Sequence, residues 1–86
     1  MYNINMTLHA NQRLRERKLK LKPKDFQKLN EIIKDNQTEN TIKVIFEKNN
    51  LCFSLIINPI DNVIITGYTG KHGEPIQKTI TVKDTK

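Results

Sequence analysis

The chain predicts an α+β fold, with two N-terminal helices packed on a three- to four-stranded antiparallel sheet. Helical periodicity is confined to residues 8–35, β-type alternation begins beyond Asn36, and clusters of Asn, Pro, Asp and Gly separate the later segments. With 86 residues, 36% of them apolar, the chain has room for one core, so residues 1–86 read as a single domain.

Thr7 is suited to cap a helix over about residues 8–18, in which Ala10 and Leu14 supply a narrow apolar stripe on an otherwise polar, cationic surface. The run Lys18-Leu19-Lys20-Leu21-Lys22 then alternates as an extended segment does, and Pro23 disfavours helix at Lys22. A second helix, over about residues 24–35 and opened by Pro23 or Asp25, places Phe26, Leu29, Ile32 and Ile33 on one face. Residues 41–47 put Ile42, Val44 and Phe46 on one side of a strand, and Asn49-Asn50 permit a tight hairpin turn. The nearly continuous apolar run 51–57 predicts a central strand buried on both faces. Pro59-Ile60-Asp61-Asn62 forms a turn, residues 63–69 a third strand, and residues 76–82 a weaker, alternating edge strand.

The formal net charge of +6 is concentrated in one place. Residues 11–24 hold seven cations against Glu16 alone, and the remainder of the chain balances to zero. A concentrated cationic segment suits a polyanion, because clustered cations release counterions from a phosphate backbone. Arg15, Lys18, Lys20, Lys22 and Lys24 are therefore the candidate RNA-binding residues, although no aromatic side chain interleaves with them and a solvated helix face has the same composition. The longest nearly apolar run, Leu51 to Ile57, is far shorter than the ~20 residues that span a bilayer, so no membrane segment is expected. The opening residues lack the pattern of a secretory signal and the single Cys52 lies in an apolar run, which suggests a buried strand thiol in a reducing, cytoplasmic compartment.

His9, Arg13 and Arg17 recur at i, i+4 and i+8, along one stripe of the first helix. His9 is expected to be the base of this stripe. Arginines of this kind bind phosphate through paired hydrogen bonds. A base, flanking cations and an acid form the set needed for metal-free RNA cleavage through the ribose 2′-hydroxyl. As spacing alone the signal is weak, because a histidine near an arginine on an N-terminal helix is more often a surface or helix-packing residue.

The segment His9-Ala10-Asn11-Gln12-Arg13-Leu14-Arg15-Glu16-Arg17, read with the later strand Ile64-Ile65-Thr66-Gly67-Tyr68, resembles the small RelE-like toxins of the barnase–EndoU–colicin–RelE group of ribonucleases. The similarity is to the branch with a His-Ala-x-x-Arg helix, a second arginine four residues on, and a late strand ending Thr-x-Tyr. It spans about residues 8–69 and includes the turn Asn58-Pro59-x-x-Asn62. The resemblance implies a metal-independent endoribonuclease with His9, Arg13 and Arg17 facing Thr66 and Tyr68 across a cleft. It also implies RNA as substrate and an acidic antitoxin, or another acidic protein, as partner.

Thr66 and Tyr68 lie two apart and share a sheet face. Two positions depart from the pattern: Lys18 stands where relatives often carry glycine, and Gly67 replaces a β-branched residue and is expected to bulge the strand. His72, in Gly70-Lys71-His72-Gly73, is a second-choice acid. Two histidines 63 positions apart and one cysteine give no metal-ligand spacing, so neither metal nor cofactor is expected. Two other classes remain open: a nucleic-acid-binding module without chemistry, and a virus- or mobile-element-encoded inhibitor whose basic segment 13–24 docks on an acidic protein.

Overall fold

In the computed structural model, which describes residues 4–48, 51–70 and 78–83, seven elements follow one another. They are β1 (Asn5–Met6), α1 (Leu8–Glu16), α2 (Pro23–Asp35), β2 (Ile42–Lys48), β3 (Leu51–Asn58), β4 (Val63–Thr69) and β5 (Thr79–Lys83). The α+β class with two helices therefore holds. The sheet differs from the expected antiparallel meander: it has five strands in the order β1-β4-β3-β2-β5, and it is mixed. The β2–β3 and β3–β4 pairs are antiparallel, whereas β1 runs parallel to β4 and β5 parallel to β2.

Occupied edges account for the difference. The outer side of β4, where a meander would continue, already holds β1, with Asn5 donating to the Asn62 carbonyl at 2.8 Å and Thr7 to that of Ile64 at 3.0 Å. The last strand pairs instead with the free edge of β2, Lys43 opposite Thr79 and Glu47 opposite Lys83. Its alternating Thr-Ile-Thr-Val-Lys pattern suits that edge position, but alternation carries no strand direction. The expected hairpin residues Asn49-Asn50, the start of the expected 76–82 strand, and His72 lie outside the described residues.

Helix α1 begins where Thr7 caps it, its Oγ1 accepting from the Ala10 amide at 3.0 Å. It ends at Glu16, two residues before the expected Lys18, with Arg17 as its C-cap and a left-handed turn beyond it. Lys18 has φ 55°, its amide donates to the Arg15 carbonyl at 3.1 Å, and the Leu19 amide donates to that of Leu14 at 2.8 Å. These two bonds satisfy carbonyls of the last turn, and Leu14 and Leu19 are both buried, which completes a Schellman-type stop. A glycine fits that position because a left-handed conformation costs an L-residue roughly 1–2 kcal/mol. Lys18→Gly is accordingly expected to stabilise the fold by about 0.5–1 kcal/mol after the entropy of glycine in the unfolded chain is offset, read as a higher urea midpoint.

Helix α2 starts with Pro23 in its first turn, and Asp25 accepts the Lys22 amide on Oδ2 at 2.9 Å. The same oxygen meets Lys48 Nζ at 2.8 Å, which ties the start of α2 to the end of β2. Leu29, Ile32 and Ile33 are buried as their spacing predicts, whereas Phe26 is half-buried. The core joins these residues and Ala10 and Leu14 of α1 to one sheet face, carrying Ile42, Val44, Phe46, Phe53, Leu55, Ile57 and Ile64. Central strand β3 is buried from Phe53 to Ile57, but Cys52 is half-exposed instead of buried, because it lies near the strand end opposite Glu47. Among the described residues no helix is long and apolar enough to cross a membrane.

Candidate active site

Helix α1 lies against β4, and three features of the sequence seat it there. Thr7, besides capping, donates its hydroxyl to the Ile65 carbonyl at 2.8 Å. Ala10 and Leu14 face the sheet. Gly67 leaves the space that Leu14 fills: a Cβ at Gly67 would stand 2.8 Å from Leu14 Cδ2 and 3.3 Å from Leu55 Cδ2. Gly67 is thus a place of close approach and is not the bulge expected from its sequence position. The irregularity lies earlier, between Ile56 and Ile57 of β3, where Thr66 pairs with Ile56 and Ile64 with Ile57, so Ile65 is the extra residue of β4.

At about 100° per helical residue, Arg17, Arg13 and His9 sit at successively greater angles from Ala10, all on the same side of the buried stripe. Arg17 is nearest the sheet. Its guanidinium carbon stands 6.0 Å from the centroid of the Tyr68 ring, a cation–π contact. Its Nη1 is buried and has no hydrogen-bond partner among the described residues. Arg13 is more exposed and its Nη1 pairs with Glu16 Oε1 at 3.1 Å. An exposed pair of this spacing is worth only about 0.2–0.5 kcal/mol, so Glu16 holds Arg13 weakly. His9 is exposed on the first turn, and among the described residues no hydrogen bond or ion pair joins His9 or Arg13 to β4.

The register places Thr66 and Tyr68 together on the sheet face opposite the helical core, Thr66 across from Ile56 and Tyr68 across from Ser54. Thr66 is buried and Tyr68 half-buried. On the same face Ser54 donates its hydroxyl to the Gly70 carbonyl at 2.7 Å, and Lys43 is buried. The five expected site residues therefore divide. Arg17 and Tyr68 come together, Thr66 lies beside Tyr68 beneath the surface, and His9 and Arg13 extend the cationic stripe outward along α1.

The cationic segment divides as well. Arg15 lines a cleft of about 420 Å³ on the outer side of α1 with Leu8, Asn11, Gln12 and Glu16. Lys24 lines a second, of about 80 Å³, with Asp25, Lys28, Phe46, Val82 and Lys83. Lys18, Lys20 and Lys22 remain exposed between them. Sequence reasoning missed Glu16 as the partner of Arg13, although its i+3 spacing signals the pair, and missed the second bond of Thr7, which no local pattern encodes. Comparison with protein-family models, with curated proteins and with solved structures finds no match for this chain.

Proposed function

We propose that the chain is a cytoplasmic, toxin-like, metal-independent endoribonuclease. The observation that carries this reading is Arg17 held over Tyr68 with a buried guanidinium nitrogen that has no hydrogen-bond partner among the described residues. Leaving such a donor unpaired costs about 1–3 kcal/mol, and a phosphate oxygen is the acceptor that would remove that cost. Arg13 adds a second cation that is readily released from Glu16.

The chemistry follows from these roles. His9 takes the proton of a ribose 2′-hydroxyl, and the freed oxygen attacks the adjacent phosphorus. Arg17 and Arg13 stabilise the pentacoordinate phosphorane, while buried Thr66 supports the strand that carries Tyr68. The bond from phosphorus to the 5′-oxygen breaks, and Tyr68 or His72 protonates that oxygen, leaving a 2′,3′-cyclic phosphate. An acidic antitoxin or similar protein would neutralise the cationic stripe.

Incubation of the purified protein with mixed RNA in EDTA, followed by mapping of the cut ends, tests the reading. Cyclic phosphate termini are expected. His9→Ala and Arg13→Ala should each reduce cleavage by about 10²-fold or more with thermal midpoints near wild type; undiminished cleavage in both overturns the assignment. A second reading, a nucleic-acid-binding module without turnover, is favoured by the exposure of His9 and by the engagement of Arg13 with Glu16. Salt-dependent RNA binding with no product would establish it.

A further inference from the structure

The connection between α1 and α2 alternates in burial as it does in sequence. Leu19 is buried and Leu21 packs partly against the core, while Lys18, Lys20 and Lys22 are exposed. Lys22 is extended, with φ −96° and ψ 164°. The leucines hold the segment down and present its lysines as a row that begins one residue beyond Arg17. We propose that Lys18, Lys20 and Lys22 form a track for the backbone of an extended single strand of RNA whose reacting phosphate lies at Arg17. The proposal rests on the ribonuclease reading for the choice of RNA and for Arg17 as the end of the track.

Spacing and width select the ligand. Where the connection is extended, as at Lys22, alternate residues repeat at roughly 6.6 Å, close to the separation of successive phosphates in an unstacked strand and longer than in a stacked A-form strand. A duplex would offer two phosphate rows across a groove, but the described residues of this connection present one. Arg15 lies on the outer side of α1 and Lys24 beside Phe46 and Val82, so neither supplies a parallel line. No carboxylate pairs with Lys18, Lys20 or Lys22 among the described residues. No aromatic side chain stands between these lysines, so the track contacts phosphates without reading bases.

The test measures binding of short 2′-O-methylated oligonucleotides, which cannot be cleaved by 2′-hydroxyl attack, as single strands and as duplexes over a range of salt. Single strands of different base composition should bind alike, and more tightly than duplexes. Each of Lys18→Asn, Lys20→Gln and Lys22→Gln should lower the slope of log K against log salt by about 0.7. Lys20→Gln, at an exposed position outside the turn and the helix cap, keeps the test decisive if Lys18→Asn or Lys22→Gln folds poorly. Unchanged slopes, tighter duplex binding, or equal competition by polyglutamate would each overturn the track, the last in favour of an acidic protein partner. Slopes lowered in the lysine variants together with uncut natural RNA would support the track and remove the ribonuclease reading.

Discussion

Replacing Arg17 by methionine is expected to lower RNA cleavage by about 10²–10³-fold, the usual loss when one donor to a developing oxyanion is removed, while the thermal midpoint stays level or rises. Two opposing effects set the stability outcome. The substitution removes the cation–π contact with Tyr68, worth about 0.5–1 kcal/mol at a half-exposed site. It also removes a buried Nη1 that has no hydrogen-bond partner among the described residues, and leaving such a donor unpaired costs about 1–3 kcal/mol. The second effect is the larger, and methionine retains much of the apolar stem that packs at the end of α1. Calorimetry and the cleavage assay on the same preparation check both halves. A clear fall in midpoint with cleavage retained would mean that Arg17 is a packing residue and that its orphaned nitrogen is incidental.

That combination of lost function and preserved stability marks what a sequence can and cannot express. The stripe His9, Arg13, Arg17 was legible because helical spacing is local, and the Thr66–Tyr68 pair was legible because strand alternation is local. The contact between Arg17 and Tyr68 depends on how closely α1 approaches β4, which Gly67 sets by lacking a Cβ beneath Leu14. A glycine inside a strand signals either a bulge or a close approach, and only the packed neighbour decides between them. Likewise the alternation of Ile42, Val44 and Phe46 announced a core-facing strand and the continuous apolar run 51–57 a central one, whereas the parallel pairing of β5 with β2 depended on which edges the earlier elements had taken. Lys18 hid the left-handed turn after α1 because glycine, its usual signal, is missing. His9 and Arg13 remained outward because Ala10 and Leu14 occupy the face of α1 that meets the sheet.

Phe53→Ala is expected to destabilise the protein by about 3–5 kcal/mol, the largest stability loss among these predictions. Phe53 is fully buried on central strand β3, directly opposite Phe46 of β2. The two rings are stacked, with centroids 5.2 Å apart and planes inclined at 16°. Truncation therefore removes apolar burial and leaves a void between two strands that cannot readily collapse, since the backbones are fixed by the ladder on both sides of β3. Lys48 Nζ stands 5.7 Å from the same ring and is held by Asp25, so the void also weakens the tie between β2 and the start of α2. A domain of this length has only about 4–13 kcal/mol of total stability, so the variant should be partly unfolded near 37 °C. Urea unfolding measures the loss, and a double-mutant cycle with Phe46→Leu should recover a coupling of about 0.5–1.5 kcal/mol for the ring pair. Because Phe53 faces the helical core while Thr66 and Tyr68 lie on the other side of the sheet, cleavage per folded molecule at low temperature should remain near wild type. A specific-activity loss as deep as that of Arg17→Met would instead show that the two faces of the sheet are mechanically coupled.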